Sequence, residues 1–205
     1  MKNLFFFTFL LLVLSSCSSE KTTYLDEVKQ HQYKLNTFYS DKDESPLTKE
    51  GFKTFKSLDF FEINEEYSVE ASFELTPNSP IFEMTTTTDR LPLYRKYGIA
   101  TFKLKGEEFQ LSLYQHQKEI TSTDHSNLLF LPFNDLSNGK TSYGGGRYID
   151  IEIPDVNAKT VIIDFNKTYN PYCAYNGEYS CPIPPIENNL AIEIPVGIKS
   201  YGEHH

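Results

Sequence analysis

The clearest pattern in the chain has a period of two. Tyr67, Val69, Ala71, Phe73 and Leu75 point one way, and Ser68, Glu70, Ser72 and Glu74 the other, the alternation of a half-buried β-strand. Pro77-Asn78-Ser79-Pro80 ends it, and residues 82–88, rich in threonine, predict a second strand because β-branched side chains suit a pleated surface. Ala100, Phe102 and Leu104, then Phe109, Leu111 and Leu113, flank Lys105-Gly106-Glu107-Glu108 as the arms of a hairpin. Residues 128–133 and 161–165 are continuous apolar runs that read as fully buried strands. Ile149, Ile151 and Ile153, and later Leu190, Ile192 and Ile194, alternate again.

Before residue 67 the period is helical. Thr23-Tyr24-Leu25-Asp26 has the form of a capping box, and Leu25, Val28, Leu35 and Tyr39 place a helix to about Phe38. After the charged break at 40–44, Ser45-Pro46 reads as the cap of a short helix or turn through Lys56. About eight short strands after a helical arm, with no strand–helix alternation, predict a mainly β protein. The expected fold is an antiparallel β-sandwich or a barrel-like single domain over 23–205.

The first residues have a different character. Lys2 is followed by an apolar run from Leu4 to Leu14, then Ser15, Ser16 and Cys17. A positive start, a short apolar region and small residues before a cut are the parts of a secretory signal, and the run is too short to span a bilayer as a helix. Leu14-Ser15-Ser16-Cys17 resembles a bacterial lipobox. That resemblance implies that 1–16 is a lipoprotein signal peptide, that Cys17 is the lipidated residue, and that 17–22 is a tether. Two or three acyl chains suffice for stable membrane anchoring. Ser18 resembles outer-membrane sorting, with the periplasmic and surface faces both open.

About 190 residues remain after the signal, enough for one domain with a real core. Its one charged residue is Lys2, so the formal charge passes from −9 to −10. That acidity argues against nucleic acid as a partner. Cys173 and Cys181 are left in an oxidising compartment, where a disulfide is the expected state. The competing reading is a pair of thiolate metal ligands, but no further ligand sits at a familiar spacing.

Candidate chemistry lies after residue 128. Asp164 and Asn166 are two apart, so on one strand both side chains leave the same face. An ionised buried Asp needs a partner, and Arg147, entering its strand after Gly144-Gly145-Gly146, is the nearest candidate in sequence. With Asp135, Tyr143, Asn170, Glu187 and Asn188 these residues form the candidate polar pocket. It is either a site for a small polar or anionic molecule or an ion-pair network that locks three loops together. The glycine run lacks the Lys-Ser/Thr ending of a phosphate loop and leads into a strand. No Gly-x-Ser-x-Gly elbow is present. His116 and His125 with Glu119 and Asp124 have no diagnostic metal spacing.

The segments GKTSYGGGRYIDI (139–151), DFNKTYNPYCAY (164–175) and YSCPIPPIENNL (179–190) closely resemble the bacterial family called domain of unknown function 1684. The strongest motifs fall within 128–199, and residues 45–67 resemble the family more weakly. The resemblance implies a shared fold and polar cluster, with no reaction attached and no cofactor. Two functions follow as expectations: a non-catalytic, membrane-tethered binding module, or a hydrolase using Asp135, Asp164 or Glu187 with Arg147 and Tyr143.

Overall fold

The computed structural model describes residues 23–117, 127–155 and 157–202. The signal, Cys17, the tether, Glu119, Asp124 and His125 lie outside them. Helix α1 (Tyr24–Ser40) begins with the expected capping box, Thr23 and Asp26 each satisfying the other's backbone N–H. Helix α2 (Lys49–Thr54) is capped by Thr48 rather than by Ser45. Seven strands follow: β1 (Ser68–Leu75), β2 (Ile81–Glu83), β3 (Leu93–Leu104), β4 (Glu107–His116), β5 (Leu128–Phe133), β6 (Arg147–Glu152) and β7 (Thr160–Asp164). Among the described residues no helix is long and apolar enough to cross a membrane.

All the strands belong to one antiparallel sheet in the order β6-β5-β4-β3-β1-β7, with β2 also on β3. The sandwich alternative therefore gives way to a single curled sheet, a half-barrel. Its concave face holds one core that includes Ala71, Phe73, Phe102, Leu111, Leu113, Leu131, Ile149, Ile163 and Phe165. The C-terminal segment closes this core with Leu190, Ile194 and Val196. On the other face Phe82, Met84, Tyr94, Tyr114 and Phe130 form a smaller cluster. A third cluster joins Tyr39 of α1 to Leu58, Tyr175 and Ile198.

Local chemistry explains the sharp features. The β3–β4 turn is two residues long, not four: Leu104 faces Glu107, and Lys105 (φ 52°) and Gly106 (φ 88°) both take positive φ, as a tight hairpin turn requires. In β3 the register shifts between Lys96 and Gly98. A Cβ on Gly98 would lie 2.5 Å from Phe73 Cζ, so that ring crosses the strand where a side chain is missing.

Three sequence expectations change. Residues 85–88 are a loop, because their hydroxyls and backbone bind the 180–183 segment rather than a strand. The run 161–165 is not buried on both faces, since Ile162 is 56% exposed. Residues 190–194 form no strand, although Leu190 and Ile194 are buried.

Candidate functional site

The predicted polar residues fall into separate, mostly sealed clusters. Arg147 opens β6 behind Gly146, whose φ of +86° suits glycine and whose Cβ would lie 2.6 Å from Asn134 Oδ1. Its guanidinium is fully buried and binds Asp135, not Asp164: Nη2 donates to Asp135 Oδ2 at 2.7 Å, both side chains being 0% exposed. The same guanidinium donates to the carbonyls of Ile194 (2.8 Å), Val196 (2.6 Å) and Ile198 (3.3 Å). Asp135 Oδ1 accepts from the N–H groups of Ser137 and Ile194. Burial pulls the Arg147 pKa down and Asp135 opposes that shift. The partner lies on the other side in sequence: the loop 136–146 folds Asp135 back onto Arg147, while Asp164 pairs with Lys167.

Asp164 does not share a strand face with Asn166. It ends β7 and caps the helical turn 165–167, where its Oδ1 accepts from Asn166 N and Nδ2 and from the Tyr24 hydroxyl. Its Oδ2 makes no hydrogen bond but lies 3.5 Å from Lys167 Nζ. Asn166 also binds the backbone N–H and carbonyl of Asn64. The two predicted neighbours do meet, and together they tie α1 to the end of the sheet.

Asn188 is buried where β4 and β5 share a single paired position. Its carboxamide accepts from Ser112 N (2.8 Å) and donates to Ser112 O (2.9 Å) and Pro132 O (2.7 Å), standing in for a strand's backbone. Pro132 has no N–H to offer the ladder, so a side chain bridges the gap. Asn170 Nδ2 holds the Lys199 carbonyl. Glu187 is partly exposed and binds Tyr114 and Lys96. Burial would raise its pKa, but its own backbone N–H, Tyr114 and Lys96 outweigh that and lower it.

Tyr143 and the cysteines form another cluster. The Cys181 sulfur accepts from Cys173 N at 3.1 Å, and the Tyr143 hydroxyl lies 3.8 Å from the Cys173 sulfur. Cys173 and Cys181, the pair expected to bridge, stand side by side here as free thiols. Among the described residues, no three His, Cys, Asp or Glu side chains gather as a metal site. His116 ends β4 with its ring edge-on to Tyr94.

The open space lies elsewhere. A cleft of about 340 Å³ separates α1 from the sheet, lined by His31, Leu35, Phe38 and Tyr39 on the helix and by Asp150, Lys167, Tyr169 and Tyr172 opposite. It adjoins a groove of about 520 Å³ along the unclosed seam between β6 and β7, with Asp150 and Lys167 common to both. Tyr169 donates to Asp150 Oδ1 at 2.8 Å, and Phe38 stacks on Tyr172. Burial, reinforced by Lys167, holds the His31 pKa below its usual range. Its other contact is the Lys167 backbone, and its Nε2 is buried with no partner among the described residues. Sequence reasoning passed over His31, Tyr169 and Tyr172 because only the fold sets α1 against the chain after β7.

If the Arg147–Asp135 pair is structural, Arg147→Met lowers the urea-unfolding free energy by about 3–5 kcal/mol, the usual cost of stranding a buried charge. Adding Asp135→Asn restores part of that loss, so the two effects are not additive. Unchanged stability in Arg147→Met would instead mark the pair as a binding site that the fold does not need.

The described architecture is shared with solved proteins. A solution NMR structure of an uncharacterized protein from Haloarcula marismortui is 30% identical in sequence, with a TM-score of 0.68, covering 86% of this chain and 94% of that one. No curated protein matches the chain. The family described as "Protein of unknown function (DUF1684)" matches residues 53–199. That span holds the Arg147, Asp164 and Asn188 clusters and both cysteines but leaves out α1, one wall of the cleft. By that match and that relative, the chain belongs to the DUF1684 family.

Proposed function

We infer that the protein is a membrane-anchored bacterial envelope lipoprotein whose domain is a non-catalytic binding module for a small molecule. The observation that carries the binding reading is the cleft under α1. At about 340 Å³ it has the size of a small-molecule site, and its wall combines Leu35, Phe38, Tyr39 and Tyr172 with a few polar groups. Two carboxylates, Asp150 and Asp164, stand near the ammonium groups of Lys167 and Lys34. That leaves no net positive charge to favour an anionic ligand. Neutral His31 has an unpartnered Nε2, and Asp150 adds an acceptor, so the cleft suits an apolar body carrying a hydroxyl or N–H donor.

The polar cluster that drew attention in the sequence is assigned to the fold instead. Arg147, Asp135, Asn166, Asn170 and Asn188 are buried with protein partners, which leaves a substrate no route to them. The anchoring reading rests on Lys2, the apolar run and Leu14-Ser15-Ser16-Cys17, and the outer membrane is the destination that Ser18 favours.

Calorimetric titration with phenol and with benzoate tests the cleft. Phenol should bind more tightly than benzoate, and His31→Phe, which keeps the bulk and removes the acceptor, should weaken phenol by about tenfold, the worth of one hydrogen bond. Equal binding of the two probes, or no effect of His31→Phe, contradicts the reading. Anchoring is tested by labelled palmitate: the native chain should incorporate it and Cys17→Ala should not, remaining at precursor mass. Label retained in Cys17→Ala would overturn the assignment of the lipid to Cys17.

A further inference from the structure

The cysteine pair borders the cleft through Tyr39 and Tyr172 and is built for more than packing. Cys181 is buried and held from both sides, its N–H by the Thr87 hydroxyl at 3.1 Å and its carbonyl by Thr87 N at 2.9 Å. Cys173, half-buried in the middle of the turn 172–174, places its N–H on the Cys181 sulfur. The Tyr143 hydroxyl lies 3.8 Å from the Cys173 sulfur. A neutral thiol is a weak acceptor, whereas a thiolate is stabilised by a hydroxyl that donates to it. Arg90, which donates to the Ser180 carbonyl, adds a positive charge near Cys181.

We propose that Cys173 and Cys181 are a redox-active dithiol, with Cys173 as the attacking thiol and Cys181 as the resolving one, oxidised by small-molecule disulfides. The Cys173 thiolate attacks one sulfur of the disulfide, forming a mixed disulfide and releasing one thiolate. Cys181 gives up its proton and attacks the Cys173 sulfur, closing the Cys173–Cys181 bond and releasing the second thiolate. Two electrons pass from the dithiol to the small disulfide, and the two thiol protons end on the two released thiols. The partially exposed attacker beside a buried resolver is the arrangement this exchange needs. The electrostatics agree: the hydrogen bond from Cys181 and then that from Tyr143, against burial, bring Cys173 down to about 6 and leave Cys181 raised. The other titratable groups facing the pair are Tyr39, Tyr148 and Tyr172, all neutral at pH 7.

The test uses the full chain in detergent with Cys17→Ala, so that the two domain thiols alone report. Iodoacetamide labelling of the reduced protein, mapped by mass spectrometry, should modify Cys173 at least about tenfold faster than Cys181 at pH 7, with a midpoint well below the ~8.5 of a free thiol. Tyr143→Phe should slow Cys173 and raise that midpoint. Oxidised glutathione should close the bridge, dithiothreitol should reopen it without denaturant, and Cys181→Ser should stop at a mixed disulfide on Cys173. If Cys181→Ser does not fold, the labelling rates of the native pair still decide. Equal rates with a free-thiol midpoint, a mixed disulfide on Cys181, a bridge reducible only after unfolding, or thiols protected by a bound metal would each overturn the proposal.

Discussion

A guanidinium sealed from water needs acceptors for its donors, and the fold around Arg147 is arranged to supply them. Asp135 provides the charge, and the carbonyls of Ile194, Val196 and Ile198 serve the two terminal nitrogens, while Nε has no hydrogen-bond partner among the described residues. Those carbonyls belong to a segment that bends at Gly197 (φ +76°), so the C-terminal stretch curls around the Arg147 guanidinium. Its apolar side chains are thereby laid over the open side of the half-barrel, where Ile194 and Val196 complete the core. Removing the cation would strand Asp135 and free the segment that covers the sheet.

The same device recurs. Asn188 meets both backbone groups of Ser112 where β4 and β5 part, and Asn166 meets both backbone groups of Asn64. In each case a buried side chain replaces a missing strand partner, which meets the need of every buried N–H and C=O for a partner. Residues of this kind look like chemistry in a sequence because they are polar, clustered and set among glycines and prolines. Most of their donors and acceptors are taken by the protein, and the atoms left over, among them Arg147 Nε, Asp164 Oδ2 and Asn170 Oδ1, are buried away from solvent. Accessible instead are the cleft under α1, the seam that β6 and β7 leave open, and the half-buried thiol of Cys173.

Where one element's own chemistry decides, the sequence was legible. The Thr23–Asp26 box sets the start of α1, the alternation from Val69 to Phe73 sets the buried face of β1, and Lys105-Gly106 marks the hairpin. Family membership was legible in the long motifs after residue 139. Legibility ended where a segment's partners were side chains or an irregular loop. Residues 190–194 carry a strand's pattern, yet they bond to the backbone of Asn134 and Leu136 and to the side chains of Asp135 and Arg147. The 85–88 threonines have strand propensity, yet they serve the 180–183 loop. Arg147 was matched to Asp164 by proximity of motifs, whereas the fold brings it Asp135. The cleft could not be foreseen, since its two walls come from residues more than a hundred positions apart.

Native-state hydrogen exchange puts the clamp to the most direct test. The amide of Ile194 donates to Asp135 and that of Ile198 to Thr168, in a segment whose strand-like pairing among the described residues is limited to the bridge between Ile198 and Phe60. If the buried ion pair holds this segment as part of the core, both amides exchange only by global unfolding, as slowly as those of Leu111 and Leu113 in the centre of β4. Exchange of Ile194 and Ile198 by local opening, orders of magnitude faster than the sheet, would contradict the account.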